Sequence, residues 1–568
     1  MKTDFDLYPE KVIGGFPAFC GWEEILGRLA PPAGERLVIT AECYPQTDRE
    51  EIPGALKRLG GRMFNAEECC IPDAEYREKI APFLTEDRVF GVMNTMRLED
   101  IYLQEKVSRM REEIRNTEGT AIVYGTGASL ITEGDVLLYF DMPRWESQQR
   151  FRRGATNWKT DNPEEDRLRK FKQGYFVEWR VADRQKKELL RRLDWYIDTV
   201  IPGSPRMISG DAMRAGLKAF TEEPFRLVPY YAPEVWGGQW LKETCGLDPE
   251  AENYAWAFDG VPEENSIRMR FGEVSVELPA MNAVLFDARK LLGDRVQARF
   301  GDEFPIRFDF LDTMGGQNLS LQVHPFTEYI QDRFGMHYTQ DESYYIMACG
   351  EDSKVYLGLK EGTQAEEMIR DLKRSQETGE IFPDEKYINA FPTRKHDHFL
   401  IPAGTVHCSG KNTVVLEISA TPYIFTFKLW DWNRLGLDGR PRPVHIQHGE
   451  RTIDWNRTTG WVRENLINRV SVIREEEGCT IEKTGLHPRE FIETRRYDFS
   501  EEMEMAGEDS VSMCNIVDGE GAVISSPEGR FEPFTVHYAE TFIIPGSIAR
   551  FRVRPLKARC RMIRATVR

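Results

Sequence analysis

The chain has 568 residues and a mass of 65.7 kDa, more than one core can organise, so roughly three or four domains are expected. Its 75 Lys and Arg against 93 Asp and Glu leave a formal charge of -18, which disfavours nonspecific binding to nucleic acid or an anionic membrane. A small anionic substrate would therefore need a local basic pocket. No apolar run of about eighteen residues occurs, and the opening MKTDFDLYPEK lacks the apolar core of a secretion signal, so a cytoplasmic protein is expected. The ten cysteines are scattered and form no CxxC pair, so reduced thiols are expected.

Residues 1–205 read as an α/β domain. The short apolar runs Leu37–Thr40, Val89–Met93, Ala121–Tyr124 and Val136–Tyr139 are separated by longer stretches, the pattern of a parallel sheet covered by helices. Leu98–Asn116 and Lys186–Thr199 carry helical spacing and abundant charge, as solvated outer helices do. Gly125-Thr126-Gly127 after a strand is a candidate phosphate-binding turn, because glycines let backbone N–H groups approach an anion. No GxxxxGK followed by Ser or Thr occurs, and Ala41-Glu42-Cys43-Tyr44-Pro45 stands where a first phosphate loop would fall. The segment DMPRWESQQRFRR at 141–153 resembles the strand and basic helix of nucleoside and nucleotide kinases. That resemblance implies a kinase-like fold. The missing phosphate-loop lysine implies a structural or regulatory remnant rather than an active phosphotransferase.

Pro202-Gly203-Ser204-Pro205 reads as a linker, followed by a short helix over Asp211–Phe220. The main chemical signal comes next. In Leu319-Ser320-Leu321-Gln322-Val323-His324-Pro325, period-2 alternation sends Gln322 and His324 to the same face of a strand. Glu342 opens a second strand, Glu342–Met347, rich in aromatic and β-branched residues. His407 ends Ile401-Pro402-Ala403-Gly404-Thr405-Val406-His407, a Pro/Gly turn before the apolar strand Thr413–Ile418. Two imidazoles, one carboxylate and one amide suit Zn2+ or another borderline divalent metal, with positions left open for water or substrate. Cys408, beside His407, alternates to the opposite face and reads as a packed thiol.

LSLQVHP at 319–325, YLGLKEG at 356–362, IPAGTVHCSG at 401–410, VVLEIS at 414–419 and WDWNRLGLDGRPRPVH at 430–445 resemble type I mannose-6-phosphate isomerases, metal-dependent cupins, over about residues 224–568. The resemblance implies interconversion of mannose 6-phosphate and fructose 6-phosphate through an enediol. That reaction needs a base near C1 and C2 and an electrophile for the substrate oxygens. The sequence departs from the family at the cations. Asp309 and Gln340 stand where lysines are usual, and Lys428 replaces an arginine. Lys428 is the candidate for proton transfer or substrate contact, and His337, Arg307 and Arg434 are candidates to compensate for the lost charges. Arg434 can equally pair with Asp431. Trp236 can line the sugar pocket or pack in the core, and Ser320 points with the ligands and is a candidate substrate contact.

Cys514–Val567 reads as a second, degenerate cupin without a ligand set, since His537 stands alone. The expected organisation is a degenerate kinase-like α/β domain over 1–205, a metal-binding jelly-roll cupin over 206–470 and a cupin-like domain over 471–568. Its expected partner is a small sugar phosphate, with no nucleic acid and no membrane. Two rivals remain: an isomerase of a different sugar, or a non-catalytic sugar- or nucleotide-sensing protein.

Overall fold

In the computed structural model, which describes residues 4–30, 35–421 and 423–568, the chain divides into two units. One comprises Pro9–Phe220 and Glu263–Asp287. The other comprises the chain up to Tyr8, Thr221–Pro262 and Ala288–Arg568.

The first unit is built on a seven-stranded sheet. Five strands run parallel in the order Arg62–Asn65, Thr120–Gly125, Leu37–Cys43, Val136–Asp141, Trp195–Asp198. Arg206–Ser209 and Ala18–Cys20 extend this sheet antiparallel. Alternation on the central strands feeds two cores. Ile39, Ala41, Ile122, Leu138 and Phe140 pack on one face, and Val38, Ala121 and Val123 on the other, as a sheet covered on both faces requires.

Three expectations for this unit need correction. Val89–Met93 is not a strand. Asp87 accepts the N–H groups of Val89 and Phe90, and Val92 donates to Phe83, so the run is committed to irregular bonds. Lys186–Thr199 is not one helix: the helix Trp179–Leu189 stops, and Trp195–Asp198 is a strand whose aromatic and β-branched side chains suit the sheet. Pro202–Pro205 is the turn between two strands of this sheet rather than a linker. The helix expected after it spans Gly210–Glu222.

The second unit carries two antiparallel barrels. In the first, a six-stranded sheet runs His398–Ile401, Asp341–Cys349, Thr413–Ala420, Arg307–Asp312, Trp256–Gly260, Tyr230–Ala232. It faces a five-stranded sheet of Ile388–Pro392, Lys354–Leu359, His407–Ser409, Leu321–Val323, Phe427–Trp430. The second barrel pairs a six-stranded sheet, starting at Ser471–Glu476, with a four-stranded sheet. It therefore begins well before Cys514. Ser471–Glu476 is exposed at every residue, so no apolar alternation marks it as a strand. The interior of this barrel is filled by Phe499, Cys514, Ile516, Phe542, Phe551, Val553 and Met562.

Candidate metal centre

The four residues singled out in the sequence converge inside the first barrel. Gln322 lies directly opposite His407 on one neighbouring strand and Lys428 on the other. Directly opposed residues share a face, so His407, Gln322 and Lys428 form a row across the five-stranded sheet. Glu342 reaches them from the facing sheet. Its carboxylate lies 2.8 Å from His407 Nε2 and 3.1 Å from His324 Nε2, and one ligand atom from each of the three residues falls within 4.8 Å of the others. Gln322 Nε2 is 3.3 Å from His407 Nε2, and a turn of the amide would present Oε1 instead. His324, Glu342 and His407 are completely buried.

Each imidazole is oriented from behind. His324 Nδ1 bonds the Phe425 carbonyl at 2.9 Å, and His407 Nδ1 bonds the Thr405 carbonyl at 2.8 Å. With those carbonyls taking the Nδ1 protons, the Nε2 lone pairs face the centre. The turn before His407 is pinned on several sides. Arg457 donates to the Pro402 carbonyl at 2.5 Å and to the Thr405 hydroxyl, and Asp341 accepts the Ala403 N–H at 2.7 Å. Gly404 has φ +92°, and a Cβ there would lie 2.5 Å from the Phe326 ring, so glycine is required.

Burial alone would lower the His324 pKa, but the adjacent Glu342 outweighs it and holds the imidazole above its ordinary value. Burial alone would raise Glu342, yet His324 and His407 hold it well below the usual carboxylate range. The buried polar atoms His324 Nε2 and Glu342 Oε1 face the other members of the triad, at 3.1 Å from Glu342 Oε2 and 2.8 Å from His407 Nε2. Two imidazoles and a carboxylate converging in this way are the donor set that fits a borderline divalent cation.

The wall beside the ligands is acidic. Asp309 pairs with Arg307 at 2.9 Å, both buried, so Arg307 compensates its own neighbour rather than a substrate. Glu417 lies opposite both Asp309 and Tyr344. Burial, with Asp309 and Glu342 adding to it, pushes Glu417 well above the usual range. Sequence reading missed Glu417. Its signal was a lone charge inside the otherwise apolar strand Thr413–Ala420.

Lys428 is partly buried, and burial, reinforced by Arg442, lowers its pKa to about 8. Arg442, also missed, bonds Glu234 at 2.6 Å and pairs with Asp431. Arg434 pairs with Asp431 as well. His337 is 72 % exposed and pairs with Glu303 at 3.1 Å. Ser320 is buried just ahead of the ligand strand. Trp236 is buried completely, edge-on to Trp256 at 5.3 Å, which is core packing. Cys408 is buried opposite Tyr356, with its thiol pushed well up by burial.

The glycine turn of the α/β unit is not an open anion cradle. Glu42 accepts the Gly127 N–H at 2.6 Å and the Ser129 N–H at 2.8 Å, and Glu67 accepts the Thr126 N–H at 3.3 Å. The chain's own carboxylates occupy the donors that a phosphate would need. Burial pushes Glu42 up to about 7 in spite of those bonds.

The fold is similar to that of a solved mannose 6-phosphate isomerase from Bacillus subtilis, a cupin fold. Similarity to it has a TM-score of 0.50 at 19 % identity, covering 61 % of this chain and 99 % of that one. Among sequences, the B. subtilis protein YvyI, named for mannose-6-phosphate isomerase, is 24 % identical over 341 residues, 59 % of this chain and 96 % of its own. Mannose-6-phosphate isomerase ManA of the same organism is 24 % identical over 309 residues, 54 % of this chain and 89 % of its own. A family described as a domain of unknown function, DUF8485, matches residues 21–222. Among the described residues no helix is long and apolar enough to cross a membrane.

Proposed function

We propose that the chain is a metal-dependent sugar-phosphate isomerase interconverting mannose 6-phosphate and fructose 6-phosphate through an enediol. The observation that carries this reading is the buried triad His324, Glu342 and His407, within 4.8 Å, with both imidazoles oriented by backbone carbonyls. Relatives named as mannose-6-phosphate isomerases support a sugar-phosphate isomerase. Gln322, His324, Glu342 and His407 would hold Zn2+ or another divalent transition metal. A bound cation supplies an electrophile for the substrate oxygens.

Lys428 is the proposed proton carrier between C1 and C2. It stands in the row with Gln322 and His407, and an amine near pKa 8 can give and take a proton at mildly alkaline pH. Arg434 and Arg442 form the cationic end of the same region, where a phosphate would be held. Ser320 is proposed as a hydroxyl contact and Trp236 as the support behind the sugar wall. The proposed organisation is a degenerate kinase-like unit over Pro9–Phe220 and Glu263–Asp287, in place of the expected 1–205, and a second unit carrying the metal-binding barrel and, from Ser471, the second barrel, in a cytoplasmic protein. The test is exchange of the C2 proton of mannose 6-phosphate with solvent by metal-loaded protein. Absence of exchange contradicts the reading.

Asp309 and Gln340 favour a second reading, an isomerase of an unphosphorylated or otherwise different sugar, because both expected lysine positions are acidic or neutral and occupied by internal partners. Turnover of mannose in preference to mannose 6-phosphate would select it.

A further inference from the structure

Gln340 is 3 % exposed and sits two residues before Glu342, at one of the positions where a lysine is usual in the resembling family. Its amide is fully engaged. Oε1 accepts the Phe425 N–H at 2.9 Å, and Nε2 donates to Glu342 Oε2 at 3.0 Å and to Glu417 Oε1 at 3.4 Å. The carbonyl of the same Phe425 is the group that bonds His324 Nδ1. One side-chain amide and the backbone N–H and carbonyl of one residue therefore join Glu342 and His324 from behind.

Residue type decides whether this bridge exists. A lysine has three donors and no acceptor, so it would leave the Phe425 N–H without its partner. A glutamate would keep that acceptor but set a third carboxylate against Glu342 and Glu417. Glutamine alone of the three can accept from Phe425 while donating between two acids. The Glu342 carboxylate is thereby seated between the two imidazoles: Oε2 accepts from Gln340 and lies 3.1 Å from His324 Nε2, and Oε1 lies 2.8 Å from His407 Nε2.

We infer that Gln340 is a positioning residue for the metal centre: it fixes the orientation of the Glu342 carboxylate between the two imidazoles and ties it, through Phe425, to the imidazole of His324. The inference rests on the metal-centre reading. It gives this chain a use for the position different from binding substrate charge.

The test compares full-length wild type with Gln340→Met, which keeps the side-chain length without hydrogen bonds, and Gln340→Glu, which keeps only the acceptor. The readouts are Co2+ affinity by competition with a chelator, the visible absorption of the Co2+ protein, and thermal unfolding of the metal-free protein. Loss of an outer-shell partner weakens metal binding by about 10–100-fold, and both variants are expected in that range with an altered Co2+ spectrum. Should Gln340→Met fail to fold, Gln340→Glu carries the test. A folded variant with wild-type affinity and an unchanged spectrum overturns the inference, even if its metal-free melting temperature falls. Wild type that takes up no Co2+ overturns the metal reading itself, and the inference with it.

Discussion

The two barrels of the second unit are both antiparallel double sheets, but they fill their interiors in opposite ways. The first turns Gln322, His324, Glu342, His407, Asp309 and Glu417 inward or bury them beside one another, and meets the desolvation cost with ion pairs and backbone hydrogen bonds. The second turns Phe499, Ile516, Phe542, Phe551 and Met562 inward and has an apolar core. The architecture therefore does not determine the chemistry, which lies in the side chains set on the inner face. A packed apolar interior gains stability from every side chain. A polar one holds groups such as His324 and Glu342 that must be paired with one another or with a ligand.

Three perturbations sharpen that contrast. The largest effect is expected at Lys428. Both Lys428→Met and Lys428→Arg should lower kcat by about 10^2–10^4-fold while leaving metal content unchanged, because arginine keeps the charge but cannot transfer the proton. If the neutral amine of Lys428 is the base, as proposed, kcat/KM should rise with pH through about 8. Activity of Lys428→Arg near wild type would assign the lysine a purely electrostatic role. Next, Phe551→Ala in the second barrel should cost about 3–5 kcal/mol in denaturant unfolding through the cavity it leaves, with metal content of the folded fraction unchanged. Metal loss from folded Phe551→Ala would break the separation between the barrels.

The smallest effect belongs to the α/β unit. Folded Glu42 takes up its proton near pH 7, raised by burial from an ordinary 4.5. The folded state thus binds more protons than the unfolded state between those values, and its stability falls as pH rises from about 4.5 to 7. The contribution is at most about 3 kcal/mol. Glu42→Gln should flatten that part of the stability profile, as followed by thermal melting across pH. An unchanged slope would show that Glu42 ionises normally in the folded protein.

The convergence of the four candidate ligands was legible in the sequence because each stood out locally: alternation set Gln322 with His324, Glu342 opened an aromatic strand, and Pro402 and Gly404 announced the turn to His407. What lay behind those ligands was not legible. The Phe425 peptide contributes only backbone atoms, and Glu417 acquires its meaning from Asp309, 108 positions earlier in the chain and paired with it only in the sheet. The parallel sheet was readable from its apolar runs. Val89–Met93 shows the limit of that signal, since five apolar or small residues were diverted by Asp87 and Phe83 into irregular bonds. The Gly125–Gly127 turn misled for a related reason. Its conformation suits an anion, and the anion is supplied by Glu42 and Glu67 from within the chain.

The central claim is that the first barrel holds a divalent metal through Gln322, His324, Glu342 and His407. The most direct measurement is elemental analysis of purified wild type beside His324→Ala and His407→Ala, each checked for folding by circular dichroism. The account predicts about one equivalent of metal in wild type and loss of most of it in both folded variants, because each removes one of only four ligands. Equal metal content in all three proteins would contradict it.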